Sequence, residues 1–232
     1  MATTLYLVRH GETEGSETKR YKGSIDVSLS EKGIGQIKGS SAFIRDHLEK
    51  TASSRHLSYL KDIHASAGEG SSAHPADSRL EAVYCSDLSR AVRSAGIIAE
   101  PYGVKPVETP ALRERSFGIW EGMTFNEIKE KYPAEFEAWA GNPLRYSPIK
   151  GESTLGVRDR ILPSLTGILD SHRGENIAIV AHGGVNRIIL CHFLGIPLEN
   201  IFRVEQDYAA VNIIEIWDKY PVVKLLNGRN TS

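Results

Sequence analysis

Leu5-Tyr6-Leu7-Val8-Arg9-His10-Gly11 is a short apolar run that ends in an arginine, a histidine and a glycine. The same kind of ending closes a second run far downstream, Ile177-Ala178-Ile179-Val180-Ala181-His182-Gly183-Gly184. Runs of about five aliphatic and β-branched residues bounded by glycine read as strands buried on both faces. Buried strands of this kind belong to α/β sheets, where ligands bind just beyond the carboxyl ends of the strands. Two histidines are therefore delivered to one sheet edge, one of them directly after an arginine. That is equipment for transferring an anionic group.

Outward from these two runs, apolar strands alternate with helical patterns, which predicts an α/β sheet with helices on both faces. A helix is expected from residue 31 to about 47, with Ser30 as its cap. A strand over 82–85 leads into a helix over 88–102, and a short strand is expected at 104–107. Shorter helices follow at 124–132 and 133–140, the second with Pro133 in its first turn. A longer helix runs from 153 or 154 to about 172, interrupted or bent near Pro163. After the strand over 177–181 comes a helix over 184–193, closed by Gly195 and Pro197. Residues 211–217 and 222–226 read as a terminal hairpin joined through 218–221. The rhythm breaks at about 51–78, which is rich in Ser, Ala, Gly and His. A stretch of this length is a loop insertion in a single domain spanning 1–232, either a tolerated surface feature or a lid or oligomer contact.

The 232 residues carry 28 basic and 29 acidic side chains, so no global field draws the chain to nucleic acid or membrane. Any anion binding must be local. Cys85 and Cys191 lie in separate apolar runs and read as buried thiols of a reducing compartment. Met1-Ala2-Thr3-Thr4 leads into the first strand without a basic-then-apolar leader, and no apolar stretch approaches the ~20 residues that span a bilayer. A cytoplasmic location is expected.

An isolated histidine at a strand end is more often a core residue than a catalyst. Here Arg9 precedes His10, Gly11 removes bulk beside it, and Glu12-Thr13 supplies polar groups where a core needs apolar ones. A neutral imidazole with one nitrogen free is a nucleophile toward phosphorus when its other N–H is held by an acceptor. Flanking guanidiniums would grip the phosphoryl oxygens and stabilise transition-state charge. Cys85-Ser86-Asp87-Leu88-Ser89-Arg90-Ala91 brings Arg90 into the first turn of a helix at a third strand end, where anions are favoured. Arg93, one turn on, is as readily a solvated residue as a ligand contact. In Arg113-Glu114-Arg115, Glu114 either pairs with an arginine or serves as proton donor to a leaving alkoxide. No His-Glu-x-x-His and no carboxylate–histidine cluster at ligand spacing points to a metal, and His64, His74 and His192 have no evident partners. Neither a metal nor a cofactor is expected.

The chain is similar to the histidine phosphatase superfamily, in the branch that holds cofactor-dependent phosphoglycerate mutases and the small phosphatases related to them. The likeness is carried in order by Leu7-Val8-Arg9-His10-Gly11-Glu12-Thr13, Leu29-Ser30-Glu31-Lys32-Gly33, Ser86-Asp87-Leu88-Ser89-Arg90-Ala91, Leu112-Arg113-Glu114, Phe117-Gly118-Ile119-Trp120-Glu121-Gly122 and Val180-Ala181-His182-Gly183-Gly184. It implies a three-layer α/β/α sandwich on a mostly parallel, mixed six-stranded sheet. It also implies that His10 accepts the phosphoryl group, that Arg9, Arg90 and protonated His182 hold it, and that Glu114 is general acid and then base. Phosphate contacts are implied for Thr13, Gly23 and Gly183. Glu114 is followed directly by the Phe117–Gly122 segment rather than by a mutase signature, and Glu17 and Thr18 stand near where mutases tend to carry an asparagine. Both departures favour a phosphatase of a small phosphorylated metabolite over a mutase. A non-catalytic regulator on this fold should have lost at least one of Arg9, His10, Arg90, Glu114 or His182, and all are present.

Substrate recognition is less closely specified. Arg20 and Lys22 either recognise a second anionic group or are solvated. Lys150-Gly151-Glu152-Ser153 resembles the Gly-Glu-Ser element of α-ribazole phosphatase and several sugar-phosphate phosphatases, so Glu152 and Ser153 either face the pocket or form a helix-capping turn. Phe125, Tyr132, Phe136, Trp139 and Tyr146 read as helix-packing residues rather than a substrate platform. Apolar residues near the terminal hairpin suggest a homodimer.

Overall fold

The computed structural model describes residues 2–54, 78–218 and 220–229. Strands β1 (Thr3–Arg9), β2 (Ala82–Cys85), β3 (Val107–Glu108), β4 (Asn176–Ala181), β5 (Val211–Trp217) and β6 (Tyr220–Gly228) form one sheet in the order β3-β2-β4-β1-β5-β6. β1, β2, β3 and β4 run parallel, while β5 and β6 are antiparallel. The sheet is therefore mixed and mostly parallel.

Alternation along the central strands sorts the core into two layers. Leu5, Leu7, Ile177 and Ile179 pack on one face against α5 (Thr154–Ser171) and α6 (Gly183–Leu194). Tyr6, Val8, Ala178 and Val180 pack on the other against α1 (Glu31–Ser54) and α2 (Ser89–Ala99). Every residue of β4 is buried, as the run 177–181 required. Cutting Leu7 or Ile179 back to alanine would cost about 2–5 kcal/mol through lost transfer energy and an unfilled cavity.

The register fixes the functional edge. Val8 pairs with Val180 and Cys85 pairs with the same Val180, so β1, β4 and β2 end at one level. His10 N–H donates to Ala181 O and Ser86 N–H to Val180 O, carrying the ladder one step past each strand. His10, His182 and Ser86 thus leave the sheet side by side.

Several expectations shift in detail. α1 is capped by Ser30, whose Oγ accepts Gly33 N–H, but it continues to Ser54, so 51–54 are helical. Residues 55–77 of the expected insertion lie outside the described residues, and His64 and His74 with them. β3 forms at Val107–Glu108 rather than over 104–107, where it meets Tyr84 and Cys85 of β2. The helical stretch expected to reach residue 102 changes to 3-10 geometry at Glu100–Tyr102. α5 runs unbroken through Pro163, because the proline sits on the solvent side where the carbonyl it leaves unpaired can meet water. Between β3 and α5 the chain forms two short helices, α3 (Phe125–Lys131) and α4 (Pro133–Gly141), away from the sheet. Cys85 and Cys191 are buried, free thiols. Among the described residues, no helix is long and apolar enough to cross a membrane.

Candidate active site

His10 is buried at the carboxyl end of β1. Its Nδ1–H donates to Gly11 O at 2.7 Å, which leaves Nε2 as the unprotonated nitrogen. Burial, then the nearby Arg9 and Arg90 charges, hold its pKa well below that of an ordinary histidine. The ring is thereby kept neutral and nucleophilic. Gly11 is required by close approach: a Cβ there would run into Gly33 O, at the start of α1.

Arg9 turns its guanidinium onto the ring of Tyr208, 3.9 Å from the centroid, and donates Nη1–H to Gln206 O at 2.6 Å. Gln206 is itself fixed by buried amide bonds with Asn212, whose Nδ2–H donates to Leu7 O. Arg90, buried in the first turn of α2, donates to the carbonyls of Ile25, Lys22 and Gly23. That loop is held in turn by Glu121, whose carboxylate accepts Gly23 N–H, Ser24 N–H, Ser24 Oγ–H and Phe117 N–H.

His182 is the N-cap residue of α6 and is fully buried, its ring centroid 5.0 Å from that of His10. Among the described residues, neither of its ring nitrogens has a partner, nor does Arg9 Nε. Buried polar atoms are normally satisfied, so these three, on residues that line a common cavity, are available to a ligand. Burial, then His10 and the arginines, push the pKa of His182 well down. In the free protein His182 is therefore neutral. The protonated His182 expected from the sequence requires an incoming negative charge to stabilise it.

Glu114 lies across from the histidines. Its Oε1 accepts Arg115 N–H and its Oε2 accepts Gly184 N–H, each at 2.9 Å. A Cβ at Gly184 would come within 2.6 Å of Oε1, which explains the second glycine after His182.

Arg9, His10, Thr13, Lys22, Arg90, Glu114, His182 and Tyr208 line a cavity of about 180 Å³. Among the described residues, Arg9, Lys19, Arg20, Lys22 and Arg90 are its cations, and Glu114 is its one carboxylate. Such a charge set suits a small dianion with one proton-transferring group beside it.

Not every expected residue is brought there. Gly23 accepts from Arg90 but is not on the cavity wall, and a Cβ there would meet Arg115 O. Gly183 lines an adjoining, larger cavity instead. Arg20 is on the wall but forms a bidentate pair with Glu127, and Lys22 Nζ donates to Glu14 O. Glu152 pairs with Arg160 and accepts Ser116 N–H, while Ser153 caps α5 by accepting Gly156 N–H. Both therefore belong to the capping turn and line neither cavity. Arg93 is exposed. Tyr208 and Glu121 are the residues that sequence reasoning missed. Tyr208 reaches the site because β5 runs antiparallel to β1, so the segment leading into β5 passes where β1 ends.

The histidine phosphatase superfamily (branch 1) matches residues 5–58 and 70–229, and the chain belongs to that superfamily. It is 28% identical over 223 residues to phosphoserine phosphatase 1 of Hydrogenobacter thermophilus, spanning 96% of this chain and 91% of the relative. It is also 28% identical over 227 residues to the adenosylcobalamin/alpha-ribazole phosphatase of Salmonella typhimurium, spanning 97% and 96% of the two chains. The crystal structure of the alpha-ribazole phosphatase from Shigella flexneri shares the fold at a TM-score of 0.78 and 23% identity, covering 99% of this chain and 98% of that one. The chain is a phosphoric monoester hydrolase of this superfamily.

Proposed function

We propose that the protein hydrolyses the phosphomonoester of a small metabolite without a metal ion, through a phosphohistidine on His10. The observation that carries this reading is the tautomer: Nδ1–H is committed to Gly11 O, and Nε2 is the nitrogen left to react. Nε2 attacks phosphorus, the P–O bond to the alcohol breaks, and Glu114 in its acid form gives its proton to the departing oxygen. Arg9, Arg90 and His182 hold the phosphoryl oxygens, and the dianion raises the proton affinity of His182. Water then attacks phosphorus and gives a proton to the Glu114 carboxylate. The P–N bond breaks, releasing phosphate and neutral His10. Charge neutralisation by side-chain cations supports a metal-independent route.

Phosphoserine and α-ribazole phosphate are the first substrates to try, since similar proteins are named for them. A sugar or glycerate phosphate fits the same chemistry. The test is phosphate release from these esters with EDTA present, with His10→Ala assayed in parallel. EDTA-insensitive release that the variant lacks is expected. Release that requires a divalent ion, or that persists in His10→Ala, would refute the reading.

A further inference from the structure

Beside the phosphate cavity, and sharing Arg9, Tyr21, Glu114 and Phe117 with it, lies a second cavity of about 820 Å³. Its wall on the α3–α4 side is aromatic. Phe125, Phe136 and Trp139 pack edge-on and tilted against one another, with centroids 5.0–6.4 Å apart. Trp120 stands behind them, T-shaped to Trp139. Phe202, in a 3-10 segment after α6, lines the cavity from another part of the chain. Phe125 is 45% exposed and Phe202 75% exposed, so these rings are not consumed by core packing. The expectation that the α3–α4 aromatics are helix-packing residues therefore covers only part of what they do.

We infer that this cavity receives the leaving alcohol and selects esters whose alcohol carries an aromatic or extended apolar body. The inference rests on the phosphatase reading and adds the class of ester to it. Glu114 lies on the shared wall, so the oxygen it protonates is where the alcohol enters the second cavity. The volume is in the range of sites for drug-sized ligands, and a three-carbon alcohol such as serine would leave most of it unfilled. Most of the cations on the wall are engaged by the protein: Arg115 donates to Glu152 O, Thr154 Oγ1 and Tyr146 O, Arg187 to Val204 O, and Arg158 to Asp159, while Arg145, exposed on the wall, has no side-chain partner among the described residues. What remains for a ligand to meet is chiefly apolar and aromatic surface.

The test keeps the chemistry constant and varies only the body of the alcohol. Propyl, hexyl and 3-phenylpropyl phosphate have alkoxide leaving groups of similar basicity. kcat/KM should rise about tenfold to a hundredfold from propyl to 3-phenylpropyl phosphate, with hexyl phosphate between and O-phosphoserine below hexyl. Phe125→Ala and Phe202→Ala, both at exposed positions, should each shrink the phenylpropyl-to-propyl ratio severalfold. A ratio near one, or O-phosphoserine as the best ester, overturns the inference while the phosphatase reading stands. Failure to hydrolyse any ester, p-nitrophenyl phosphate included, overturns both.

Discussion

The two cavities share a wall and are built on opposite principles. In the smaller one, three central side chains are aimed by backbone carbonyls or a packed ring: Gly11 O fixes His10, Gln206 O and the Tyr208 ring fix Arg9, and loop carbonyls fix Arg90. In the larger one, aromatic rings lean on each other from short helices off the sheet. The first arrangement preorganises charge for one reaction. The second offers shape and apolar surface, which can change without disturbing the chemistry. Reaction and selectivity thus sit on separable parts of the chain, meeting at Glu114.

Three substitutions probe that separation. His10→Ala should lower kcat by about 10⁴-fold or more on every ester, since it removes the nucleophile of a unit whose parts act together. Rapid quench with labelled substrate should find no labelled protein. A variant that kept even a tenth of the activity would break the comparison at its centre. Glu114→Gln should cost about 10²–10³-fold in kcat on propyl phosphate and much less on p-nitrophenyl phosphate, whose leaving group departs without a proton. An equal loss on both would mean that Glu114 positions the site rather than protonating the leaving group. Glu121→Ala removes the acceptor of the loop that receives Arg90, and should raise KM on the order of tenfold while leaving the leaving-group preference intact. Altered preference with unchanged KM would mean that the loop serves the larger cavity.

The smaller cavity is far more legible in the sequence than the larger. Fully buried parallel strands write themselves as continuous apolar runs, and residues that follow such runs must emerge at the sheet edge, so the amino-acid order alone places Arg9, His10 and His182 there. Arg90 follows from the same logic at β2. Tyr208 cannot be placed this way, because it precedes an antiparallel strand whose neighbour in the sheet is not encoded locally. Glu121 is visible as part of a motif, but its work is to accept backbone N–H groups from a segment about a hundred residues away. Glu152 and Ser153 look pocket-facing from a short likeness, whereas Arg160 and the start of α5 claim them. Phe125, Phe136 and Trp139 have a spacing that any packed helix would show, and only tertiary structure reveals the space in front of them.

The smallest expected effect concerns how the smaller cavity holds its charge before a ligand arrives. His10 and His182 are buried without a protonated form to stabilise, and both have folded pKa values well below the 6.5 of an unperturbed histidine. In the unfolded chain they titrate near the ordinary value. Below that pH the unfolded state binds more protons, so stability falls as the solution is acidified from about pH 6.5 toward the depressed folded values. His47, lowered by partial burial, adds in the same direction. The carboxylates held low by arginines, Asp87 and Glu152, lose their contribution only in the more acid range where unfolded carboxylates titrate, so the interval from about pH 6.5 to 5 isolates the histidines. Urea midpoints should drop across that interval, and His182→Asn should flatten the drop. Ring-proton NMR makes the finer distinction. In the free protein, neither His10 nor His182 should titrate near 6.5, while saturating inorganic phosphate should move the midpoint of His182 upward. A His182 that already titrates at the ordinary histidine value without an anion would mean that the buried ring is charged in the resting state, and the contrast between a preorganised catalytic cavity and a passive apolar one would have to be redrawn.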